Sequence, residues 1–209
     1  DIAHKYGAYF HTDAVQAVGH IPINVKELDA DLLSASAHKF NGPEGIGFLY
    51  IKKGVDILPL LNGGSQENGL RGGTENVASI IGMAIALKNN CENIQKNEEH
   101  IKAVSEAFIS NLKVDYHING NGNKLCGINS ISFEGKSGEA LLHLLDLKGI
   151  CVSTGSACDS VNTHISHVLQ AISVPEEQAK STIRVSFSKD NTIEEAVELA
   201  KTLNKIVSM

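Results

Sequence analysis

Residues 31–51 read Asp31-Leu-Leu-Ser-Ala-Ser-Ala-His-Lys-Phe-Asn-Gly-Pro-Glu-Gly-Ile-Gly-Phe-Leu-Tyr-Ile51. An apolar run, Asp31–Ser36, leads into a short polar segment holding His38 and Lys39. Asn, Gly and Pro then turn the chain back into a second apolar run, Gly45–Ile51. Continuous short apolar runs bounded by turn residues are what strands in the middle of an α/β sheet look like. Together with Ala8–His11, these runs predict three strands buried on both faces. In an open α/β sheet, ligands bind beyond the carboxyl ends of the strands. The polar segment after Ser36 therefore falls where a site is expected.

Outward from this stretch, Asp1–Gly7 reads as the last turns of a helix closed by a glycine, with no start methionine or capping residue ahead of it. Gly63, Gly64, Gly69, Gly72 and Gly73 mark a loop. Val77, Ile80, Ile81, Ala84 and Leu87 then recur at helical spacing and begin a long helix or helix pair. Further on, Ile131–Phe133 and Thr182–Phe187 predict strands, while Gly138–Leu147 and Thr192–Val207 predict amphipathic helices. The second of these helices has Ile193, Ala196, Val197, Ala200 and Leu203 on one face. The expected organisation is residues 1–76 in a large α/β domain, 77–110 in linking helices and 111–209 in a small α+β domain.

At 209 residues and 42% hydrophobic content the chain can bury a real core. Its formal charge is −6, from 18 basic and 24 acidic residues, with neither sign gathered into long runs. No basic footprint for nucleic acid is present. The longest apolar stretches, such as Ile46–Ile51 and Ile80–Leu87, are too short to cross a bilayer. A cytoplasmic globular protein is expected. Cys91, Cys126, Cys151 and Cys158 are too sparse for a disulfide framework and have no metal-ligand spacing, so each is weighed singly.

Four segments carry candidate chemistry. In His11-Thr-Asp-Ala-Val-Gln16, Asp13 and Gln16 follow a strand and could face a ligand; Asp13 alone reads more simply as a cap at a strand-to-helix turn. In the 34–45 segment, Ser36 and His38 offer donors that suit a phosphate, and Lys39 offers an amine able to condense with a carbonyl. A lone lysine in a polar loop is usually a surface charge, but apolar runs flank this one on both sides. In Val152-Ser-Thr-Gly-Ser-Ala-Cys-Asp-Ser160, Cys158 stands among small residues, as an accessible thiol needs, whereas Cys151 between Ile150 and Val152 reads as a buried small hydrophobe. In Thr182–Phe187, Arg184 alternates with Ile183 and Val185, so it stands on the face opposite the apolar one. There it could clamp a carboxylate or be a plain surface charge.

Four motifs, His11-Thr-Asp-Ala-Val-Gln, Ser36-Ala-His-Lys, Gly69-Leu-Arg-Gly-Gly-Thr-Glu-Asn and Ser153-Thr-Gly-Ser-Ala-Cys, stand in this order. So arranged, they resemble the cysteine desulfurases of the nitrogenase-accessory and iron–sulfur-cluster type, within the class-V aminotransferase superfamily. The resemblance implies the C-terminal half of a fold-type I transferase dependent on pyridoxal 5'-phosphate: the end of the large cofactor domain followed by the small domain. It implies that Asp13 pairs with the ring nitrogen, Gln16 contacts the ring hydroxyl, Ser36 and His38 hold the phosphate, and Lys39 carries the cofactor. It further implies that Thr74 reaches the cofactor of a second subunit in a homodimer. Arg184 would bind the carboxylate of L-cysteine, and Cys158 would take its sulfur as a persulfide, leaving L-alanine. The cysteine context is similar to the branch with a long cysteine loop, which delivers sulfur to an acceptor or iron–sulfur scaffold protein. Two other functions remain open at this point: a non-catalytic piece serving dimerisation or acceptor binding, and an ordinary class-V aminotransferase, which has no need of Cys158.

Overall fold

The computed structural model describes residues 1–122, 124–154 and 165–209. These form two compact units, Asp1–Gln95 and Lys96–Met209. The division falls inside the stretch expected to link two domains.

The first unit opens with helix α1 (Ile2–Lys5). Gly7, at φ +68°, closes it: the amides of Gly7 and Ala8 return to the carbonyls of His4 and Ala3, both at 3.0 Å. This double bond pattern is the usual way a left-handed glycine satisfies the last carbonyls of a helix. Strands β1 (His11–Asp13), β2 (Leu32–Ser36) and β3 (Gly47–Ile51) form one sheet in that order, β1 parallel and β3 antiparallel to β2. Helix α2 (Val77–Glu92) follows, started by Asn76, whose side chain accepts from the Ser79 amide.

The strands at 32–36 and 47–51 lie where the sequence predicts them, but the expected Ala8–His11 strand does not: β1 starts at His11. The amide of Ala8 is already committed to closing α1, and Tyr9 is exposed, so the chain joins the sheet three residues later than its apolar pattern predicts. Nor is the sheet buried on both faces. The register pairs Leu33 with Tyr50 and Ala35 with Phe48, and these four side chains pack with Val18, Phe40, Met83 and Leu87. The opposite face carries His11, Asp13, Ser34 and Ser36, since residues two apart share a side. The helix stripe is also displaced from its expected position: Met83, Ala86 and Leu87 pack on the core, while Val77 and Ile81 are exposed. Because α2 is apolar on nearly all sides, periodicity alone does not select its packed face.

The second unit holds almost all of α3 (Ile94–Asn111), then β4 (His117–Ile118), β5 (Ile128–Ser132), α4 (Gly138–Asp146), α5 (His167–Ala171), α6 (Glu176–Lys180), β6 (Thr182–Ser186) and α7 (Ile193–Val207). The three strands form an antiparallel sheet in the order β4-β5-β6. Val104 and Phe108 of α3, Ile131 and Ile183 of the sheet, Leu141 and Leu145 of α4, and Leu199 and Leu203 of α7 make its core. Burying such side chains stabilises by roughly 1.5–3 kcal/mol each. The starts of α4 and α7 are fixed by sequence. Ser137 accepts from the Ala140 amide, while Thr192 and Glu195 satisfy each other's backbone amides in a capping box. On α7 the buried residues are Ala196, Leu199, Ala200, Thr202 and Leu203, whereas Ile193, placed on the expected stripe, is 45% exposed in the first turn. Asn119, buried, donates to Ser132 Oγ at 2.8 Å and accepts from Gln178 at 2.9 Å, which ties β4, β5 and the α6 segment together.

Candidate functional site

The polar face of the first sheet is where chemistry gathers. Register pairs Asp13 with Ser34, and Ser36 follows two residues on, so the three share a side near the carboxyl ends of β1 and β2. Asp13 Oδ1 accepts from the Val15 amide at 2.9 Å. This bond fixes one carboxylate oxygen, but the helix cap expected of a lone aspartate is not formed, because β1 is followed by turns and the next helical element begins only at Ala37. His11 Nε2 and Ser34 Oγ lie 2.8 Å apart, a hydrogen-bonded pair beside Asp13. Ser36 Oγ and His38 Nδ1 also lie 2.8 Å apart. In either tautomer of neutral His38 one donor remains for a ligand: if the hydroxyl donates to Nδ1 it is the Nε2–H, and if Nδ1 donates it is the hydroxyl hydrogen.

Lys39 sits in the 3-10 turn Ala37–Phe40 that leaves β2. The turn cannot continue as a helix, because Asn41 adopts φ +63° and Pro43 lies two residues on. His20 Nε2 donates to the carbonyl of Lys39 at 2.8 Å, and Asn90 Nδ2 donates to the carbonyl of Phe40 at 2.7 Å. Neither residue stands out by motif. Asn90 does leave a trace in sequence: it is polar, yet lies three and seven residues beyond Leu87 and Met83 on the packed face of α2. His20 leaves none.

The other candidates are placed as follows. Gln16 is exposed in the turn after β1, and Thr74 is exposed ahead of α2. Among the described residues, no hydrogen bond joins either of them to Lys39, Ser36 or His38. Arg184 is half-buried on β6, opposite Ser130 and on the face away from Ile183 and Val185, as its alternation predicts. Cys158 lies outside the described residues. Cys151 corrects an expectation: it is exposed, because Ile150 and Val152 turn to the core and strict alternation turns the residue between them outward. Cys91 is exposed too. Cys126 is half-buried and donates to the Glu98 carbonyl at 3.7 Å; burial first, and the Glu98 charge second, push its thiol up from the ordinary range.

The strongest charge cluster of the first unit lies away from these residues. Asp31 accepts from the Phe10 amide at 2.8 Å and from His4 Nε2 at 2.6 Å, and Lys52 bonds Asp29 at 2.6 Å. The Phe10 amide, then His4, hold the Asp31 carboxyl down at about 2. The cluster fastens α1 and the start of β2 to the end of β3, a structural task that no motif announces.

Comparison with known proteins can now be set beside this geometry. The sequence profile described as aminotransferase class-V matches residues 1–199. The chain belongs to the class-V aminotransferase family. It is 48% identical over 210 residues to the cysteine desulfurase IscS of Dictyoglomus turgidum, covering 99% of this chain and 53% of that one. To the cysteine desulfurase IscS of Methanosarcina thermophila it is 44% identical, covering 99% and 52%. The solved NifS-like protein from Rickettsia africae matches 100% of this chain and 56% of its own, at 36% identity and a TM-score of 0.90. The chain thus spans about half the length of the curated relatives it matches.

The α/β fold is accordingly that of the fold-type I enzymes, whose family cofactor is pyridoxal phosphate. The residues on the polar face fit such a group. A phosphate accepts hydrogen bonds only, which suits the donor left by the Ser36–His38 pair. When the cofactor is bound, Asp13 would supply a carboxylate for a protonated ring nitrogen, and Lys39 an amine for the aldehyde.

Proposed function

We propose that the protein is a cysteine desulfurase, converting L-cysteine to L-alanine and a persulfide on Cys158. The observation that carries this reading is that Asp13, the Ser36–His38 pair and Lys39 all stand at or just beyond the carboxyl ends of the adjacent strands β1 and β2. The names of the relatives and the Ser153–Cys158 segment add support. When bound, pyridoxal phosphate supplies an electron sink that labilises the substrate's carbon–sulfur bond. Lys39 holds the cofactor and shuttles a proton at its Nζ; Asp13 keeps the ring nitrogen protonated; Ser36 and His38 bind the phosphate, and Gln16 the ring hydroxyl. Arg184 binds the substrate carboxylate. Cys158 Sγ attacks the substrate sulfur. The sulfur–sulfur bond forms as the carbon–sulfur bond breaks, the carbon keeps the electron pair and takes a proton, and alanine leaves.

The same reading makes the protein a homodimer in which Thr74 faces the cofactor of the other subunit. Leu58 and Leu60 are more than nine-tenths exposed, and Val77 and Ile81 about half, an apolar surface around Thr74 in sequence that a second subunit would cover. The persulfide goes to a sulfur-acceptor or iron–sulfur scaffold protein. A reducing cytoplasm fits the free thiols of Cys91, Cys126 and Cys151.

The deciding assay supplies L-cysteine to the full-length protein with pyridoxal phosphate and counts alanine and protein persulfide. Equal amounts of both are expected. Amino transfer to a keto acid, with no persulfide, would establish the plain aminotransferase instead.

A further inference from the structure

The turn that carries Lys39 ends with carbonyls that no helix satisfies, because the chain leaves the helical region at Asn41. The Ala37 carbonyl accepts from the Gly42 amide at 2.8 Å, so that end is closed locally. The next two bonds come from afar. The Lys39 carbonyl takes its bond from His20, 19 residues away, and the Phe40 carbonyl from Asn90, 50 residues away. A carbonyl only accepts, so the His20 Nε2 carries the proton. Asn90 is 4% exposed, and its amide also donates to the Ala86 carbonyl at 2.9 Å. Both bonds from one buried amide fix its orientation against α2.

Packing closes the remaining freedom. Phe40 is fully buried, and Gly19, at φ +79°, passes so near it that a Cβ there would stand 2.9 Å from the Phe40 Cβ. The Ala37 amide bonds the Ile46 carbonyl at 3.0 Å. The peptide planes following Lys39 and Phe40 are thus each pinned by a side chain from a different segment, while the Lys39 side chain itself stays half-exposed.

We propose that His20 and Asn90 are positioning residues for Lys39, fixing its Cα–Cβ direction so that the amine meets the aldehyde of a pyridoxal-type cofactor. The inference rests on Lys39 being the cofactor lysine. A reactive side chain has to be held within about 0.5 Å and 10–20° of its working geometry, and a misplacement of about 1 Å costs on the order of 10²-fold in rate. Loss of either clamp leaves a carbonyl unbonded and the lysine free to swing.

The test follows the growth of visible absorbance as pyridoxal phosphate reacts with the cofactor-free, full-length protein, and the pH midpoint of that absorbance. His20→Ala and Asn90→Leu, which each remove a donor, should slow the reaction about 10- to 100-fold and move the midpoint. His20→Gln, which returns an N–H, should recover most of the rate. Leu87→Ala, a cut in the same core that touches neither carbonyl, should lower the melting temperature and leave rate and midpoint alone. Lys39→Ala separates the two levels. If it abolishes the absorbance while His20→Ala and Asn90→Leu react like the unaltered protein, the positioning role is wrong and the site stands. If it keeps the absorbance, the site assignment itself fails. Equal slowing by Leu87→Ala would reduce the effect to general stability and overturn the proposal. His20 is only half-buried, so its variant decides the matter alone should Asn90→Leu not fold.

Discussion

The backbones of Ser153 and Arg184 are bonded to each other twice, the Ser153 amide to the Arg184 carbonyl at 3.1 Å and the Arg184 amide to the Ser153 carbonyl at 2.6 Å. Two segments that sequence treats separately, the start of the cysteine motif and the arginine strand, are therefore one local structure. On its other side Arg184 pairs with Ser130 of β5, so its strand is held from both edges at that point.

Because both bonds are made by the main chain, Arg184→Ala should leave the fold intact while removing the carboxylate clamp proposed for its side chain. A lost charge-assisted contact costs roughly 1.5–3 kcal/mol, so the KM for cysteine should rise about 10- to 150-fold with little change in cofactor affinity. Steady-state kinetics and a cofactor titration check both halves. Ser153→Pro should do the reverse: it deletes the amide that bonds Arg184, at a cost of about 1 kcal/mol in stability, and slows persulfide formation more than it alters KM.

The cysteines should separate cleanly. Cys158→Ala should abolish persulfide formation and leave cofactor binding as it was. Cys91 and Cys151 are exposed, so replacing either by serine should change stability by no more than about 0.5 kcal/mol. Cys126, whose thiol is held protonated by burial and by Glu98, should react slowly with iodoacetamide at neutral pH, more slowly than Cys91 or Cys151. Mass spectrometry of the alkylated peptides gives the order directly.

Acid should loosen the first unit through Asp31. Its folded-state value, about 2, lies below the ordinary 3.8, so the stabilisation is complete above pH 4 and is lost as pH falls from there toward 2. Asp29, lowered by Lys52, acts in the same direction. Asp31→Asn should flatten the dependence of unfolding midpoint on pH across that window. An unchanged slope would show that other carboxylates carry the acid transition.

Legibility from sequence followed physical range. The strands at Leu32–Ser36, Gly47–Ile51 and Thr182–Ser186, and helices α4 and α7, are set by local alternation, caps and turns, and each was readable, whereas β5 was readable only in part: the pattern predicts Ile131–Phe133 and the strand runs Ile128–Ser132. The positions of Asp13, Ser36, His38 and Lys39 at the carboxyl ends of strands were readable as well. What sequence hid was set by distance. Cys151 is turned outward by packing of its two neighbours, and α2 presents a face its own periodicity does not choose. His4 and Lys52 find Asp31 only after folding, and His20 and Asn90 reach the lysine turn across 19 and 50 residues.

The central claim, that this face holds pyridoxal phosphate through Lys39, is tested most directly by fixing the cofactor to the protein. Full-length protein is incubated with pyridoxal phosphate, reduced with borohydride, digested and mapped by mass spectrometry. The account predicts one phosphopyridoxyl group, on Lys39, lost in Lys39→Ala and diminished when Ser36 and His38 are both replaced by alanine, which removes the donor their pair leaves for the phosphate, a contact worth roughly 1.5–3 kcal/mol. A group found on another lysine, or equal labelling after Lys39→Ala, would contradict it.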